Sequence, residues 1–286
     1  MTNFFLSEWF AELLKLMNGA IGNYAITILL FTLVVKLLIL PLDIKQRKSS
    51  LKTSALQGKI MDIRKRYPAK EQQQKKIQEL YRKEGVSTFS SCLPSLLSLP
   101  ILLALIGAVS FIANEELVRL VMSGDISTDN VQPFLWVHNM WQPDSGLAPV
   151  IPTLEQWNNL PFDQISYLQA NNLVEAAKSI NYETVMQPLT EAYAGYYNGW
   201  FILPLLCGGL QLLQSKLMPA PATGSPGGGK MMYYILAIMA VVICVSQSVV
   251  FTLYWTLSVV FSIVVQLILN KAIKTAPPEK EAIKIE

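Results

Sequence analysis

The stretch IGNYAITILLFTLVVKLLILP, residues 21–41, is almost wholly apolar and contains a single charged residue, Lys36. A run of about 20 apolar residues is the length at which an α-helix crosses the hydrocarbon core of a bilayer. An ammonium in that core costs about 2.5–3.5 kcal/mol even on a lenient scale, so Lys36 marks a candidate functional site. The alternative is that its stem extends toward Pro41, where we expect the span to close, and places the charge among the lipid headgroups.

Composition indicates a membrane protein. Apolar residues make up 52% of the 286 residues and charged residues only 15%, and the mean hydropathy is +0.36. These values are typical of a polytopic membrane protein rather than a soluble domain. The last apolar segment, 231–270, has 40 residues, twice the length that one helix needs, and we divide it at Ser246-Gln247-Ser248. The sequence therefore predicts five transmembrane helices, at 21–42, 91–112, 199–218, 231–248 and 249–270.

Charge is distributed unevenly between the segments that connect these helices. Residues 43–84 contain 13 Lys and Arg against 5 Asp and Glu, whereas residues 113–197 contain 2 against 10. Loops rich in Lys and Arg remain in the cytoplasm, so the first segment should be cytoplasmic and the second extracytoplasmic. The N-terminus is then outside and the C-terminus inside. The net charge of +3 is the remainder of this asymmetry and gives no reason to expect nucleic acid as a partner.

The segments outside the spans differ in composition. Residues 1–20 carry aromatic and aliphatic side chains at helical spacing, which predicts an outer amphipathic helix. Residues 43–90 contain two amphipathic arms separated by Pro68, and they predict a cytoplasmic helical hairpin. We expect an extracytoplasmic module at 113–198, a flexible cytoplasmic linker at 219–230 and a cytoplasmic tail at 271–286.

Polar side chains gather in the predicted cytoplasmic halves of four of the five spans. Within each span they recur at intervals of about three or four residues, which places them on one helix face. They are Thr32 and Lys36 in the first span, Ser91, Ser95 and Ser98 in the second, Gln211, Gln214 and Ser215 in the third, and Tyr254, Ser258, Ser262, Gln266 and Asn270 in the fifth.

If these four faces converge, they form a hydrophilic groove that is closed toward the outside and open to the cytoplasm. Water in such a groove would stabilise the Lys36 ammonium in place. The alternative is that the Ser, Thr and Gln side chains only hydrogen-bond neighbouring helices, each contributing well under about 2 kcal/mol. The common depth of the four sets favours the groove.

Five stretches of the chain follow the pattern of a known family in the right order. They are NYAITILLFTLVVKLLILPLDIKQRKS (23–49), LYRKEGVSTFSSCLPSLLSLPILLAL (80–105), PFLWVHNMWQPD (133–144), WFILPLLCGGLQLLQSKLMP (200–219) and LYWTLSVVFSIVVQ (253–266). Together they resemble the YidC/Oxa/Alb3 membrane protein insertases, and most closely the shorter Gram-positive, clostridial-type members. The resemblance covers nearly all membrane segments and is most specific around the first two spans.

This resemblance implies an all-α polytopic fold, with five transmembrane helices around a cytoplasm-open hydrophilic groove, a cytoplasmic helical hairpin and an outer amphipathic helix. It places Lys36 at the groove arginine of the family, which keeps the charge but loses the bidentate guanidinium. It also places Ser262 and Gln266 at polar groove positions. The residues expected to line the groove or bind a client are Lys36, Thr32, Ser95, Ser98, Gln211, Gln214, Ser215, Tyr254, Trp255, Ser258, Ser262 and Gln266.

The chain departs from the family pattern at four places. STFSSC at 87–92 stands where an NPLGGC-like turn is usual, and Val259 stands where some members have an asparagine. Ser-Gln-Ser-Val at 246–249 replaces the usual Pro-Gly between the last two spans, and the segment near 145–195 has no counterpart.

The resemblance implies an insertase or chaperone in the bacterial plasma membrane that inserts transmembrane segments of nascent membrane proteins without ATP. The sequence has no Walker-type phosphate loop, and we expect no enzymatic activity, catalytic residue, cofactor, metal or disulfide. Membrane lipids, the Sec translocon and the ribosome are further candidate partners. Two alternatives remain: a solute or anion transporter with Lys36 as its anion site, and an assembly factor that translocates nothing.

Overall fold

The structure is a computed structural model that describes residues 5–85, 93–125, 131–217 and 228–273. Within these ranges every regular element is helical, which confirms the all-α class expected from the sequence. The helices are α1 (Phe5–Ile21), α2 (Tyr24–Ala55), α3 (Gln57–Arg66), α4 (Lys70–Lys83), α5 (Leu93–Ser123), α6 (Leu154–Asn158), α7 (Ser166–Ala170), α8 (Val174–Ser179), α9 (Tyr182–Ala192), α10 (Ile202–Leu217), α11 (Gly228–Ser246) and α12 (Val249–Ile273).

Three helices contain segments long and apolar enough to cross a membrane, namely Tyr24–Lys45, Pro100–Ser123 and Val249–Lys271. Two shorter apolar stretches, Ile202–Leu217 and Tyr233–Ser246, accompany them. The first of these has 16 residues, which at about 1.5 Å per residue is shorter than the roughly 30 Å hydrocarbon core. The fold is that of an all-helical multi-pass membrane protein, and the five-span arrangement is taken up again below as a proposal.

The first apolar helix does not close at Pro41, contrary to the expectation from the sequence. α2 is continuous from Tyr24 to Ala55, with Pro41 inside it. Proline removes one N–H donor, but membrane-spanning helices tolerate it where neighbouring groups satisfy the freed carbonyl. The Lys-, Gln- and Arg-rich residues that follow are good helix formers, so the helix continues. The beginning of the segment that we assigned to the hairpin, 43–55, is therefore the end of α2.

α5 also differs from its expected bounds. It extends to Ser123, well past residue 112, where we expected the second span to end and the module to begin. The helix continues through the acidic residues that follow residue 112. The carboxylate of Glu115 binds Lys15 of α1 at 2.7 Å and the Arg119 side chain one turn further along α5. Each oxygen of this carboxylate pairs with a cation, so its charge does not destabilise the helix at this position.

The long helices pack around α12. This helix lies against α2 and against α10, and α10 packs in turn on α11. α1 lies on α5 and α2, and its buried face joins the main apolar core. In that core the rings of Phe10 and Phe31 meet edge to face with centroids 5.5 Å apart. α1 is thus anchored by apolar packing as well as by the Lys15–Glu115 ion pair.

α3 and α4 form a helical pair beyond the end of α2. Leu56 and Ile60 are buried between the two helices, and Lys59 pairs with Glu84 at 2.6 Å. Most of the remaining residues of both helices are polar, so this small apolar contact is the main attraction between them. The α4 side of this apolar contact is formed by Ile77, Leu80 and Tyr81.

Residues 131–198 and the end of α5 share a second apolar core. Trp157 stacks on Tyr182 with ring centroids 5.2 Å apart. The Tyr182 hydroxyl donates to the Pro152 carbonyl at 2.6 Å, and burial raises the pKa of this phenol. The segment near 145–195, which had no counterpart in the family pattern, is therefore part of a packed unit whose apolar core includes the end of α5.

Candidate groove around Lys36

Lys36 lies at the contact between α2 and α12. Its Nζ donates a hydrogen bond of 3.4 Å to Ser262 Oγ, and Ser262 in turn donates to the Ser258 carbonyl at 2.8 Å. The structure therefore joins two residues that are 226 positions apart in sequence and that we expected to share a groove. The four-residue spacing of Ser258, Ser262 and Gln266 aligns them on one face of α12.

The polar face of α12 has hydrogen-bonding capacity that the described part of the chain leaves unused. Gln266 is only 6% exposed, yet its Oε1 has no hydrogen-bond partner among the described residues. Ser258 Oγ is buried as well and lies near the Tyr254 hydroxyl, but not in hydrogen-bonding geometry. Buried polar atoms are paired in the great majority of proteins, by protein groups or by water. These atoms therefore point to water or a polar segment at this face.

The charge of Lys36 is only weakly compensated. Its side chain is partly buried, and no carboxylate in the described ranges lies within salt-bridge distance of its Nζ. Asp43 interacts with it electrostatically across two helical turns, without forming an ion pair. The Lys36 ammonium has three N–H donors, and the Ser262 hydroxyl at 3.4 Å accepts from only one of them. An acidic group that enters beside α2 and α12 would find a cation with free hydrogen-bonding capacity.

Three other predicted groove residues are packed into helix contacts. Thr32 is fully buried, and its hydroxyl donates to the Ile28 carbonyl at 2.6 Å, so its proton is used within α2. Tyr254 belongs to the main apolar core. Trp255 packs on Phe251 and on the buried Cys207–Cys244 cluster between α10, α11 and α12. These contacts stabilise the helix arrangement around the polar face of α12.

The remaining predicted residues lie on α10 and α5. Gln211 and Gln214 are half-buried and Ser215 is buried on α10, which flanks α12. Within the described ranges α10 makes no extensive contact with α2, and these three residues form no hydrogen bond with Lys36. The side chains of Ser95 and Ser98 lie outside the described residues.

Sequence reasoning missed a buried polar network that holds the start of α10. Asp144 is fully buried and accepts hydrogen bonds from the backbone N–H groups of Trp200 and Leu203, each at 2.7 Å, and from Trp136 Nε1 at 3.2 Å. A carboxylate at a helix N-terminus accepts hydrogen bonds from the free N–H groups and interacts favourably with the positive end of the helix dipole. Asp144 is the last residue of the stretch PFLWVHNMWQPD (133–144), which we used only to recognise the resemblance to the family.

A comparison with protein families matches residues 16–276 of this chain to the family described as 60Kd inner membrane protein. The match covers α2, α5, α10, α11 and α12, and therefore both helices that carry the Lys36–Ser262 contact.

Curated relatives agree with this match. A protein of Fusobacterium nucleatum named Membrane protein insertase YidC is 27% identical over 267 residues, which cover 93% of this chain and 95% of that protein. A protein of the same name from Clostridium perfringens is 28% identical, covering 92% of this chain and 84% of that protein. Membrane protein insertase YidC 1 of Halalkalibacterium halodurans is 39% identical over 140 residues, 47% of this chain and 48% of that protein.

Proposed function

Because this chain belongs to the 60Kd inner membrane protein family, we propose that it is a membrane protein insertase, which transfers hydrophobic segments of nascent membrane proteins into the bilayer. The full-length similarity to two proteins named as YidC insertases supports this function. The clients are nascent membrane proteins, and the protein acts as a multi-pass bacterial membrane protein. No finding favours the transporter alternative.

The proposed site of action is a groove formed by α2, α5, α10 and α12, within a five-span arrangement that includes α11. The observation that carries this assignment is the contact of Lys36 with Ser262 beside the buried, unpartnered Gln266 Oε1. A polar tail of the client would replace water at these groups. The Lys36 ammonium would attract acidic residues of that tail more strongly than in bulk water, because the surrounding dielectric constant is lower.

Insertion then needs no nucleotide. The cost of moving a short polar tail is lowered by the groove, and the client's roughly 20 apolar residues gain free energy when they partition into lipid. The pair α3–α4, proposed to lie in the cytoplasm, carries exposed charge and a small apolar contact, which suits it to meet a client before insertion. Contact with the Sec translocon or the ribosome is a further part of this proposal.

Depletion of the protein in cells tests the proposed function. The readout is protease accessibility of a single-span client with a short acidic N-terminal tail, expressed beside a client of another insertion route. We expect the tail of the first client to stay protected inside after depletion, while the second inserts normally. Normal exposure of the acidic tail outside would contradict an insertase role.

A further inference from the structure

A second cavity lies away from Lys36, between α5, the module 131–198 and Ser7 of α1, and has a volume of about 480 Å³. This volume is within the range of sites that hold small molecules, about 300–1,000 Å³. Apolar side chains of α5 and of the module line it, together with amide side chains from both. The amides are Asn114, Gln132, Asn139, Gln142, Gln156, Asn159 and Gln164.

The charge of this cavity comes from Glu116. The Tyr24 hydroxyl donates to its Oε1 at 3.3 Å and Gln132 Nε2 donates to its Oε2 at 3.1 Å. Both donors are neutral, and no Lys or Arg in the described ranges lies within salt-bridge distance of this carboxylate. Arg119, one turn away, is bound to Glu115 instead. Glu116 is half-buried, and a carboxylate that is partly removed from water gains from a cationic partner, which no described residue supplies within salt-bridge distance.

An aromatic donor without a partner completes the site. Trp141 lines the cavity, and its buried Nε1 has no hydrogen-bond partner among the described residues. Its ring meets the Tyr24 ring edge to face with centroids 4.9 Å apart, and Tyr24 is the residue that binds Glu116. Glu116 and Trp141 both line the cavity, and Tyr24, which contacts both of them, connects the two from outside the lining.

These groups define the ligand by its chemistry. No Lys, Arg or His is among the described residues that line the cavity, which disfavours an anion. A primary ammonium supplies N–H donors to Glu116 and to amide oxygens, and a cation gains from nearby aromatic faces. The unpartnered indole N–H needs an oxygen acceptor close to that ammonium.

We propose that this cavity binds an amino alcohol group, with its ammonium on Glu116 and its oxygen on Trp141 Nε1. An ammonium two carbons from an oxygen occurs in free ethanolamine and in the headgroup of phosphatidylethanolamine, where that oxygen is esterified to a phosphate that would lie outside the cavity. The site shares no residue with the groove around Lys36, so it is a second binding site on the chain.

The test is titration of the purified protein, in detergent and free of phosphatidylethanolamine, with ethanolamine and with ethylene glycol as its neutral counterpart. Calorimetry or the unfolding temperature gives the affinity. We expect saturable binding of ethanolamine, no saturable binding of ethylene glycol, and a loss of about tenfold or more in Glu116→Gln, which removes a charge-assisted hydrogen bond. Glu155→Gln, an exposed carboxylate beside the cavity residue Gln156, should bind as the parent does.

Trp141→Phe keeps an aromatic side chain, smaller than the indole, and removes the N–H donor, so it should weaken ethanolamine binding even if Glu116→Gln folds poorly. A lipid arm separates the two sources: nanodiscs of mixed phosphatidylethanolamine and phosphatidylglycerol, with bound lipid identified by native mass spectrometry. Retention of phosphatidylethanolamine that is lost in Trp141→Phe assigns the site to the headgroup. Equal binding of ethanolamine and ethylene glycol, or no binding of ethanolamine together with no retention of phosphatidylethanolamine, overturns the proposal. Because every readout is binding, either result leaves the insertase function untouched.

Discussion

Lys36 is the residue on which the proposed groove depends most. It reaches Ser262 at 3.4 Å and has no ion-pair partner in the described part of the chain. Its ammonium therefore has both charge and donors available for an incoming acidic tail. The apolar core beside it supplies the low dielectric that strengthens such an attraction.

Replacing Lys36 separates the role of charge from the role of geometry. Lys36→Arg should keep insertion of acidic-tail clients, because one hydroxyl contact does not require a particular cation shape. Lys36→Ala should lower their insertion about fivefold, roughly 1 kcal/mol, and lower that of neutral-tail clients less. The measurement is the fraction of each client tail that becomes accessible to external protease.

Lys48→Ala is the matched control, since it removes a cation from an exposed position of the same helix. It should leave both clients unaffected. An equal loss for acidic and neutral tails in Lys36→Ala would show that Lys36 acts through packing and not through its charge.

Asp144 gives a prediction about stability. Asp144→Asn keeps one acceptor oxygen, but the three N–H donors are divided between two oxygens, so at least one buried donor loses its partner. We expect a loss of about 1–3 kcal/mol in the free energy of unfolding, measured by thermal unfolding in detergent. Asp163→Asn, which breaks only the exposed pair with Lys178, should cost less than about 1 kcal/mol. Equal effects of the two variants would argue against a structural role of the network.

At the scale of elements, the α3–α4 pair depends on very few buried residues. Ile60 is 3% exposed, whereas its neighbour Met61 is 51% exposed. Ile60→Ala should therefore loosen the pair and increase cleavage between residues 57 and 83 by a soluble protease, because truncating a buried Ile costs about 2–5 kcal/mol. Met61→Ala should leave the cleavage rate close to that of the parent. If both variants are cut at the parent rate, the contact does not hold the pair together.

The contact between α1 and α5 gives a pH dependence. Burial alone would lower the pKa of Lys15, but its hydrogen bonds and charge interactions with Glu115 and Glu12 raise it above 10.5. A raised pKa in the folded state stabilises the fold fully below about pH 10.5, and this stabilisation is lost as the pH rises through the folded value. The unfolding temperature of the parent should therefore fall toward that of Lys15→Met above pH 10.5. A constant difference between the two proteins from pH 8 to 12 would contradict this role of Lys15.

The elements also show where sequence patterns predict poorly. The sequence predicted α2 and α12 as helices because a run of about 20 apolar residues has one stable form in lipid, a helix. The sequence did not indicate that α2 continues as a helix to Ala55, because a proline breaks an isolated helix more reliably than one packed along α12. The helix α5 continues beyond the apolar stretch that the sequence shows, and the ion pairs of Glu115 with Lys15 and Arg119 accompany this extension.

For the whole molecule, the charge asymmetry between 43–84 and 113–197 predicts opposite sides of the membrane. Ala69 and Asn171 are exposed positions in these two segments. In intact cells a membrane-impermeant maleimide should label Asn171→Cys directly and Ala69→Cys only after permeabilisation. The unsubstituted chain controls for its own cysteines, of which Cys207 and Cys244 are buried. The reverse labelling pattern would invert the proposed topology and place the groove toward the outside.

The candidate site was partly predictable from the sequence. The spacing of Ser258, Ser262 and Gln266 and the lone charge at Lys36 identified the polar face, since each is a local pattern on one helix. Whether a polar side chain is free or already bonded is not a local property. Thr32 lies one helical turn before Lys36 on the same face of α2, yet its hydroxyl already donates to the Ile28 carbonyl.

The sequence by itself determined that this chain is helical and embedded in the membrane, and that one cation lies inside an apolar run, because length and hydropathy settle these properties locally. Only the tertiary structure decided that Lys36 meets Ser262, that Asp144 holds the start of α10, and that Glu116 and Trp141 share a cavity. Each of these pairings joins residues that are distant in sequence or belong to separate elements, and their distances depend on how the helices pack.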